Sequence, residues 1–254
     1  MMPRFDRVLL IAGLGHALLA IACLALLRVN ATAILGVHPA LKPLKFAASL
    51  AVFLATMAVL MPHLSIADGT RQLLSCAVAL TMTVEMAVIA TQAIRGRRSH
   101  FNLESPLDAG LTNAMLVGIA GFLLSMLVIT LIATARPLAQ PALMAAAWRA
   151  ALWIFLLAAV SGIAMGGHGG HTIGGHDGGP GMAITNWSTT HGDLRVSHFF
   201  ALHALQLIPL LALCITWLPL QSGIQSALLA LGIAANVLLV GWTWIQALAA
   251  RPAW

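Results

Sequence analysis

Seven long apolar stretches constrain the fold of this chain more than any other feature of its sequence. Each is close to the ~20 residues that an α-helix needs to cross a bilayer core of ~30 Å. The stretches cover residues 8–28, 46–64, 73–94, 111–135, 142–165, 196–218 and 224–248, to within a few residues. Such continuous apolar runs lack the alternation of a membrane β-barrel. The sequence therefore predicts an all-α polytopic membrane bundle of about seven transmembrane helices, forming one unit over residues 1–254.

The content of charged residues is too low for a water-soluble domain of this length. Only 8% of the 254 residues are charged, whereas soluble domains average roughly 25%. The net charge is +6, but the basic residues are scattered over short loops and form no basic face for nucleic acid. We therefore expect membrane lipids, and a quinone or an anionic small molecule, as partners, and no nucleic acid.

The loops that follow spans one, three and five are longer than the others and carry most of the polar motifs. In an odd-numbered bundle these loops and the C-terminus share one membrane face, which we call the motif face. Its Lys and Arg residues are Arg28, Lys42, Lys45, Arg95, Arg97, Arg98, Arg195 and Arg251, and those of the opposite face are Arg4, Arg7, Arg71 and Arg136. This excess predicts a cytoplasmic motif face and an N-terminus on the outside.

The first polar motif, residues 38–46, leads into span two. Its prolines, Pro39 and Pro43, predict an extended approach to the span. Lys42 and Lys45 lie at the membrane interface. Two interpretations stay open: the lysines anchor the end of a helix, or they clamp a phosphate, carboxylate or propionate.

The second motif begins inside span three with Glu85. An ionisable side chain at that depth costs ~2.5–3.5 kcal/mol on insertion scales, so it is a functional candidate by default. Gln92 follows seven residues later on the same helical face, and Arg95 comes three residues after it. This order predicts a polar stripe along one face of the helix. The alternative is a structural hydrogen bond from a protonated Glu85 to a neighbouring helix.

The third motif, residues 191–206, leads into span six. His191 and His198 are seven residues apart and would share a face if the helix began early. His203 and Gln206 are three residues apart, so they share a face. The spacing of His198 and His203 differs from the i,i+4 pair of a zincin helix.

The depth of the polar residues predicts a common pocket. Counted from the motif face, Glu85 lies about 15 Å deep, His203 about 12 Å, Gln206 about 16 Å and His16 about 18 Å. Asn236 in span seven lies at a comparable depth. The rim of the predicted pocket consists of Lys42, Arg95, His100, Asp193 and Arg195. We therefore expect a polar intramembrane site that opens to the motif face.

A Gly/His-rich loop, residues 166–182, precedes the third motif. His168, His171 and His176 stand among glycines, and such imidazoles can bind Zn²⁺, Cu²⁺ or Ni²⁺. A flexible lid or linker is the alternative that the low complexity of the segment favours.

Two motifs resemble those of a family of bacterial multi-pass membrane proteins that has no established activity. They are RGxxSHFN at residues 95–102 and GDLRxxHFxxLHALQ at residues 192–206. The resemblance covers most of the chain and implies a location in the bacterial inner membrane. It assigns no role to any residue.

The first functional hypothesis is a haem- or metal-dependent redox protein. A membrane haem b needs two axial imidazoles, for which His16 and His203 are the candidates and His198 is the substitute. The candidates for binding its propionates, or a quinone headgroup, are Lys42, Lys45, Arg95 and Arg195. The candidate ligands for a transition metal such as Cu, Zn or Fe are Glu85, His100, His191, His198 and His203.

Two further hypotheses come from other classes of protein. One is a proton-coupled transporter or channel for an anionic solute, in which Glu85 binds the proton. The other is an intramembrane metal-dependent lipid hydrolase, for which the sequence lacks an HxxxH motif. Of the three hypotheses, we prefer a redox site centred on Glu85, Gln92, His203 and Gln206.

Overall fold

The seven apolar stretches fold into seven long α-helices, and 71% of the chain is helical. The structure is a computed structural model that describes residues 5–29 and 31–253. The helices are α1 (Arg7–Leu26), α2 (Leu41–Leu60), α3 (Asp68–Ile94), α4 (Pro106–Ala135), α5 (Ala142–His168), α6 (Leu194–Thr216) and α7 (Ser222–Leu248). A short 3₁₀ turn, Met61–His63, extends α2. The prediction of an all-α membrane fold is confirmed.

All seven helices are long and apolar enough to cross a membrane. Large apolar side chains point outward along them, among them Ile11, Leu73 and Leu238, whose exposed fractions are 69%, 70% and 72%. Lipid tails accommodate such a surface, since they are as apolar as the side chains themselves. The chain is therefore a multi-pass membrane protein. Arg4, one of the basic residues assigned to the face opposite the motif face, lies outside the described residues.

Three helices begin five residues before the apolar stretches that predict them: α2, α3 and α4. The expected extended approach through Pro43 is wrong, because α2 begins at Leu41 and Pro43 lies in its first turn. A proline is tolerated there, since the first backbone N–H groups of a helix have no partner within the helix. Pro106 is likewise the first residue of α4.

The chain packs as two compact units, Met1–Ile132 and Ala133–Trp254, and each is described by itself. In unit 1, α1, α2 and α3 pack against one another. Its core includes Ala47 from α2, Ile89 from α3 and Met115 from α4. The rings of Phe53 and Phe122 meet edge to face, 5.5 Å apart, and join α2 to α4. The prediction of one bundle over the whole chain stays a prediction.

One face of α3 is buried along almost the whole helix. Its members recur every three or four residues, as one face of an α-helix requires. They are Ser75, Val78, Met82, Glu85, Ile89 and Gln92. This buried face is polar near both ends of the helix and apolar between Ser75 and Glu85.

In unit 2, α6 packs against both α5 and α7. Ala201, Ala204 and Leu205 are buried in this packing. Pro209 lies inside α6, and the helix continues through it to Thr216. Interrupted spans are expected at transport sites, but Pro209 does not interrupt span six.

The segment between α5 and α6 forms a folded cap on unit 2. Helix α5 runs to His168, so the Gly/His-rich loop begins later than residue 166. Two short strands, β1 (Thr172–Ile173) and β2 (Gly192–Asp193), pair antiparallel. Strand β2 packs against the end of α7, where a Cβ atom on Gly192 would collide with the carbonyl oxygen of Ala247.

Replacement of Gly192 by alanine should destabilise unit 2, because neither the backbone of β2 nor that of α7 can shift easily. We expect a loss of about 1–3 kcal/mol, the usual cost of forcing extra volume into packed structure. Thermal unfolding in detergent measures the effect. Gly223→Ala is the control, since a Cβ atom there meets nothing within 4 Å. Equal unfolding temperatures for the two variants would contradict this packing.

Candidate functional site

Glu85 is held in the interior of unit 1. It lies nine residues before the end of α3, which corresponds to about 14 Å along the helix axis. Its side chain is only 10% exposed, and Oε1 lies 3.5 Å from Nε2 of His100. The other carboxyl oxygen, Oε2, is buried and has no hydrogen-bond partner among the residues that the structure describes. One oxygen therefore contacts a histidine, and the other is available to a proton or a ligand.

His100 connects Glu85 to the motif face. The ammonium group of Lys42 donates to Nδ1 of His100 over 3.3 Å, and Ser99 Oγ lies 3.0 Å from the same nitrogen. An ammonium group can only donate hydrogen bonds, so Nδ1 is the accepting nitrogen of the ring. The neutral ring then carries its proton on Nε2, which faces Glu85. Phe46 packs against the imidazole at 5.6 Å between ring centroids.

The predicted polar stripe on α3 divides into two clusters. Gln92 and Arg95 do not join Glu85 but bind Asp108 in the first turn of α4. Its Oδ1 accepts hydrogen bonds from Gln92 Nε2 at 2.8 Å and from Arg95 at 2.6 Å. Its Oδ2 accepts from Ser105 Oγ at 2.6 Å. Asp108 is 1% exposed, so this carboxylate is buried and fully bonded.

Sequence reasoning missed Asp108 because it placed the start of span four at residue 111. A usable signal was present: Ser105 stands just before Pro106, and Asp108 follows three residues later. A serine before a helix, with a carboxylate in its first turn, is a common N-terminal pattern. The partner of that carboxylate, on α3, could not be read from the spacing.

The loop between α3 and α4 is shaped by its own hydrogen bonds. Asn102 Nδ2 donates to the carbonyl of Arg98 at 3.1 Å, and Thr112 Oγ1 donates to the carbonyl of Asn102 at 2.9 Å. Phe101 has a φ of 56°, a left-handed conformation that a non-glycine residue adopts only when its surroundings impose it. These contacts hold the loop so that His100 reaches back to α3.

In unit 2, the predicted shared face of His203 and Gln206 on α6 is confirmed. His203 Nδ1 lies 3.2 Å from Gln206 Oε1, and the ring of Phe199 packs against His203 at a tilt of 52°, with centroids 4.2 Å apart. His198 has a different role: its Nδ1 lies 2.9 Å from the carbonyl oxygen of Ala158 and 3.0 Å from Ser161 Oγ. It therefore ties α6 to α5.

Two other predicted histidines have local partners, and a third, His191, lies before α6. Because α6 begins only at Leu194, the early start on which a shared face of His191 and His198 depended is not found. His168 Nε2 lies 3.0 Å from the carbonyl oxygen of Thr172. His16, buried in α1, contacts the carbonyl oxygen of Ala12 at 2.8 Å, one turn earlier in the same helix.

Asp193 organises the cap of unit 2. Its carboxylate accepts two hydrogen bonds from the Arg195 guanidinium, at 2.9 and 2.6 Å, and one from the backbone N–H of Ser188 at 2.8 Å. His171 Nδ1 lies 3.8 Å from Asp193 and 3.2 Å from Asp177. Burial alone would raise the pKa of Asp193, but the hydrogen bonds and charges around it, chiefly those of Arg195, hold that pKa below its ordinary value.

The cap encloses a small cleft lined by His171, His176, His191 and Arg195, among other residues. Within residues 5–29 and 31–253, no three His, Cys, Asp or Glu side chains are placed so that they could hold a metal ion. The predicted haem and transition-metal sites stay predictions.

The predicted pocket drew on residues that belong to different units. Glu85 and Gln92 lie in unit 1, and His203 and Gln206 lie in unit 2. A site shared by these four residues therefore stays a prediction. The site that the structure assembles within one unit joins Glu85, His100 and Lys42, with Lys45 one turn further along α2.

Comparison of the chain with protein-family models, with curated proteins and with solved structures finds no significant match. Its function is therefore inferred from its own residues and their geometry.

The lowered pKa of Asp193 predicts a pH dependence of stability. Its folded pKa lies below the unfolded value of about 3.9, so the ionised carboxylate stabilises the fold above that pH and loses this effect as the pH falls through the folded pKa. Asp193→Asn should cost about 2 kcal/mol at neutral pH, and the difference from the unsubstituted protein should vanish in strong acid. Unfolding temperatures of both proteins across this pH range test it, and a pH-independent difference would contradict it.

Proposed function

We propose that this protein is a proton-coupled membrane transporter for a small anionic solute, with Glu85 as the group that binds and releases the proton. The observation that carries the proposal is the series of contacts from Glu85 through His100 to Lys42. It runs from a buried carboxyl group inside a membrane-spanning helix to a basic side chain at the start of α2.

The tautomer of His100 defines a proton transfer step. A proton that arrives from the motif face binds Nδ1, while the proton on Nε2 passes to Oε1 of Glu85. The ring stays neutral overall, and the Glu85 carboxylate becomes a carboxylic acid. Rotation or tautomerisation of the imidazole then restores the starting arrangement. Histidine suits this role because its two nitrogens can accept and donate in turn.

The environment of Glu85 favours reversible proton binding. A carboxylate in hydrocarbon is costly, so intramembrane carboxyl groups serve as proton carriers in pumps and transporters. Here His100 lies against one carboxyl oxygen and Lys42 donates to the other nitrogen of the His100 ring, while Oε2 remains unbonded among the described residues. The ionised and protonated forms can therefore both be accommodated.

The charge at the motif-face end of unit 1 favours an anionic solute. Besides Arg95, which pairs with Asp108, four basic residues stand on the two segments that flank the site: Lys42, Lys45, Arg97 and Arg98. One carboxylate, that of Glu104, balances part of this charge by pairing with Arg97 at 2.7 Å and with Arg98 at 3.5 Å. Positive charge around the entrance of a site raises the local concentration of anions. Neutralisation of the anion by a co-transported proton lowers the cost of taking it across the membrane.

Location and orientation are part of the proposal. The excess of Lys and Arg on the motif face favours a cytoplasmic position for that face. The resemblance of the two motifs to those of bacterial multi-pass proteins supports the inner membrane. Proton and solute would then be exchanged with the cytoplasm through His100 and Lys42.

The test is proton flux into proteoliposomes that contain a trapped pH dye. Glu85→Gln keeps the size of the side chain but cannot bind the proton, so flux should fall by at least about a hundredfold. His100→Gln should slow it strongly as well. Glu104→Gln is the matched control, because it removes a carboxylate from the exposed ion pair with Arg97 and should not lower flux.

The solute is identified in the same vesicles by adding lactate, succinate or inorganic phosphate under an imposed pH gradient. One of these anions should accelerate proton uptake in the unsubstituted protein and not in Glu85→Gln. Proton flux that is equal in Glu85→Gln and Glu104→Gln would refute the proposed function.

A further inference from the structure

Unit 1 has a second buried polar contact, at the end of α3 away from the motif face. Ser75 on α3 is 0% exposed, and its hydroxyl donates to Asp6 Oδ2 over 2.7 Å. The other oxygen, Asp6 Oδ1, accepts from the backbone N–H of Leu9 at 3.1 Å and caps α1. A carboxylate thus connects the interior of unit 1 to its opposite end.

Ser75 and Glu85 lie on the same buried face of α3. They are ten residues apart, or about 15 Å along the helix. Between them on that face stand Val78 and Met82, which are 0% and 4% exposed. The buried face of α3 therefore has a polar group near each end of an apolar segment of roughly three helical turns.

Asp6 also opens onto a recess on the opposite face. The recess is lined by Phe5, Asp6, Arg7, Pro62, Asp68 and Arg71. Asp68 forms an ion pair with Arg71 on its rim. The Asp6 carboxylate therefore has the buried Ser75 on one side and an open polar recess on the other.

We propose that Asp6 is the group that exchanges the transported proton with the opposite membrane face. This inference rests on the proposed function of Glu85 and names the other end of the same path. The proton leaves the Glu85 carboxyl O–H and binds the Asp6 carboxylate, which returns Glu85 to its ionised form. In this structure Val78 and Met82 separate the two carboxyl groups, so transfer occurs only in a second conformation that opens this segment. Glu85 then communicates with one face at a time.

A purely structural Asp6 makes a different prediction. As the N-cap of α1 it would stabilise the helix, and its replacement would lower the unfolding temperature without affecting proton movement. Asp6→Asn separates the two roles, because Asn caps helices as well as Asp does but does not bind a proton. Asp6→Ser is a second variant that retains a capping oxygen.

The experiment compares proton flux in proteoliposomes for Asp6→Asn, Asp6→Ser and Glu104→Gln. Glu104 is the control, since its carboxylate pairs with Arg97 and Arg98 and does not line this recess. Both Asp6 variants should lose at least about tenfold in flux while their unfolding temperatures stay close to that of the control. Glu104→Gln should lose no flux relative to the unsubstituted protein.

The outcomes also distinguish this inference from the proposed function. If Glu85→Gln blocks flux and both Asp6 variants transport as well as Glu104→Gln does, Glu85 is the proton carrier and Asp6 is only a cap. If Glu85→Gln leaves flux unchanged, the proposed function fails and the role of Asp6 fails with it.

Discussion

The free-energy cost of a carboxyl group inside a membrane governs the arrangement of unit 1. An unpaired charge at the depth of Glu85 would be expelled from hydrocarbon, so this side chain must face the interior and find a partner. One partner comes from the loop after α3, which folds back and brings His100 within 3.5 Å of the carboxylate. The loop is therefore part of the buried site as well as a connection between helices.

The two motif segments share a physical design, although they lie in different units. In each, an arginine binds a buried aspartate at the start of a helix. Arg95 contacts Asp108 in the first turn of α4, and Arg195 contacts Asp193, the N-cap of α6. A carboxylate at a helix N-terminus is favoured by the unpaired N–H groups and the helix dipole. The arginine adds hydrogen bonds that offset the cost of burying the carboxylate. Arg95 thereby fixes the end of α3 to the start of α4, whereas Arg195 and Asp193 together fix the start of α6.

Local features of this structure could be predicted from the sequence, and long-range contacts could not. The seven helices follow from apolar length, and the contact of His203 with Gln206 follows from a spacing of three residues on one helix. The depth of Glu85 marked it as a candidate because its cost depends only on its position in the span. The bond from Gln92 to Asp108, and that from Ser75 to Asp6, join residues on different elements. Their pairing depends on how the helices pack, which periodicity does not encode.

Infrared spectroscopy of the protein in lipid tests most directly whether Glu85 shares its proton with His100. The carbonyl band of a protonated carboxyl group is sensitive to its hydrogen-bond partners, and the band that disappears in Glu85→Gln belongs to this residue. The contact predicts that His100→Gln shifts that band, whereas Glu104→Gln leaves it in place. A Glu85 band that is the same with and without His100 would contradict the contact on which the proposed proton path depends.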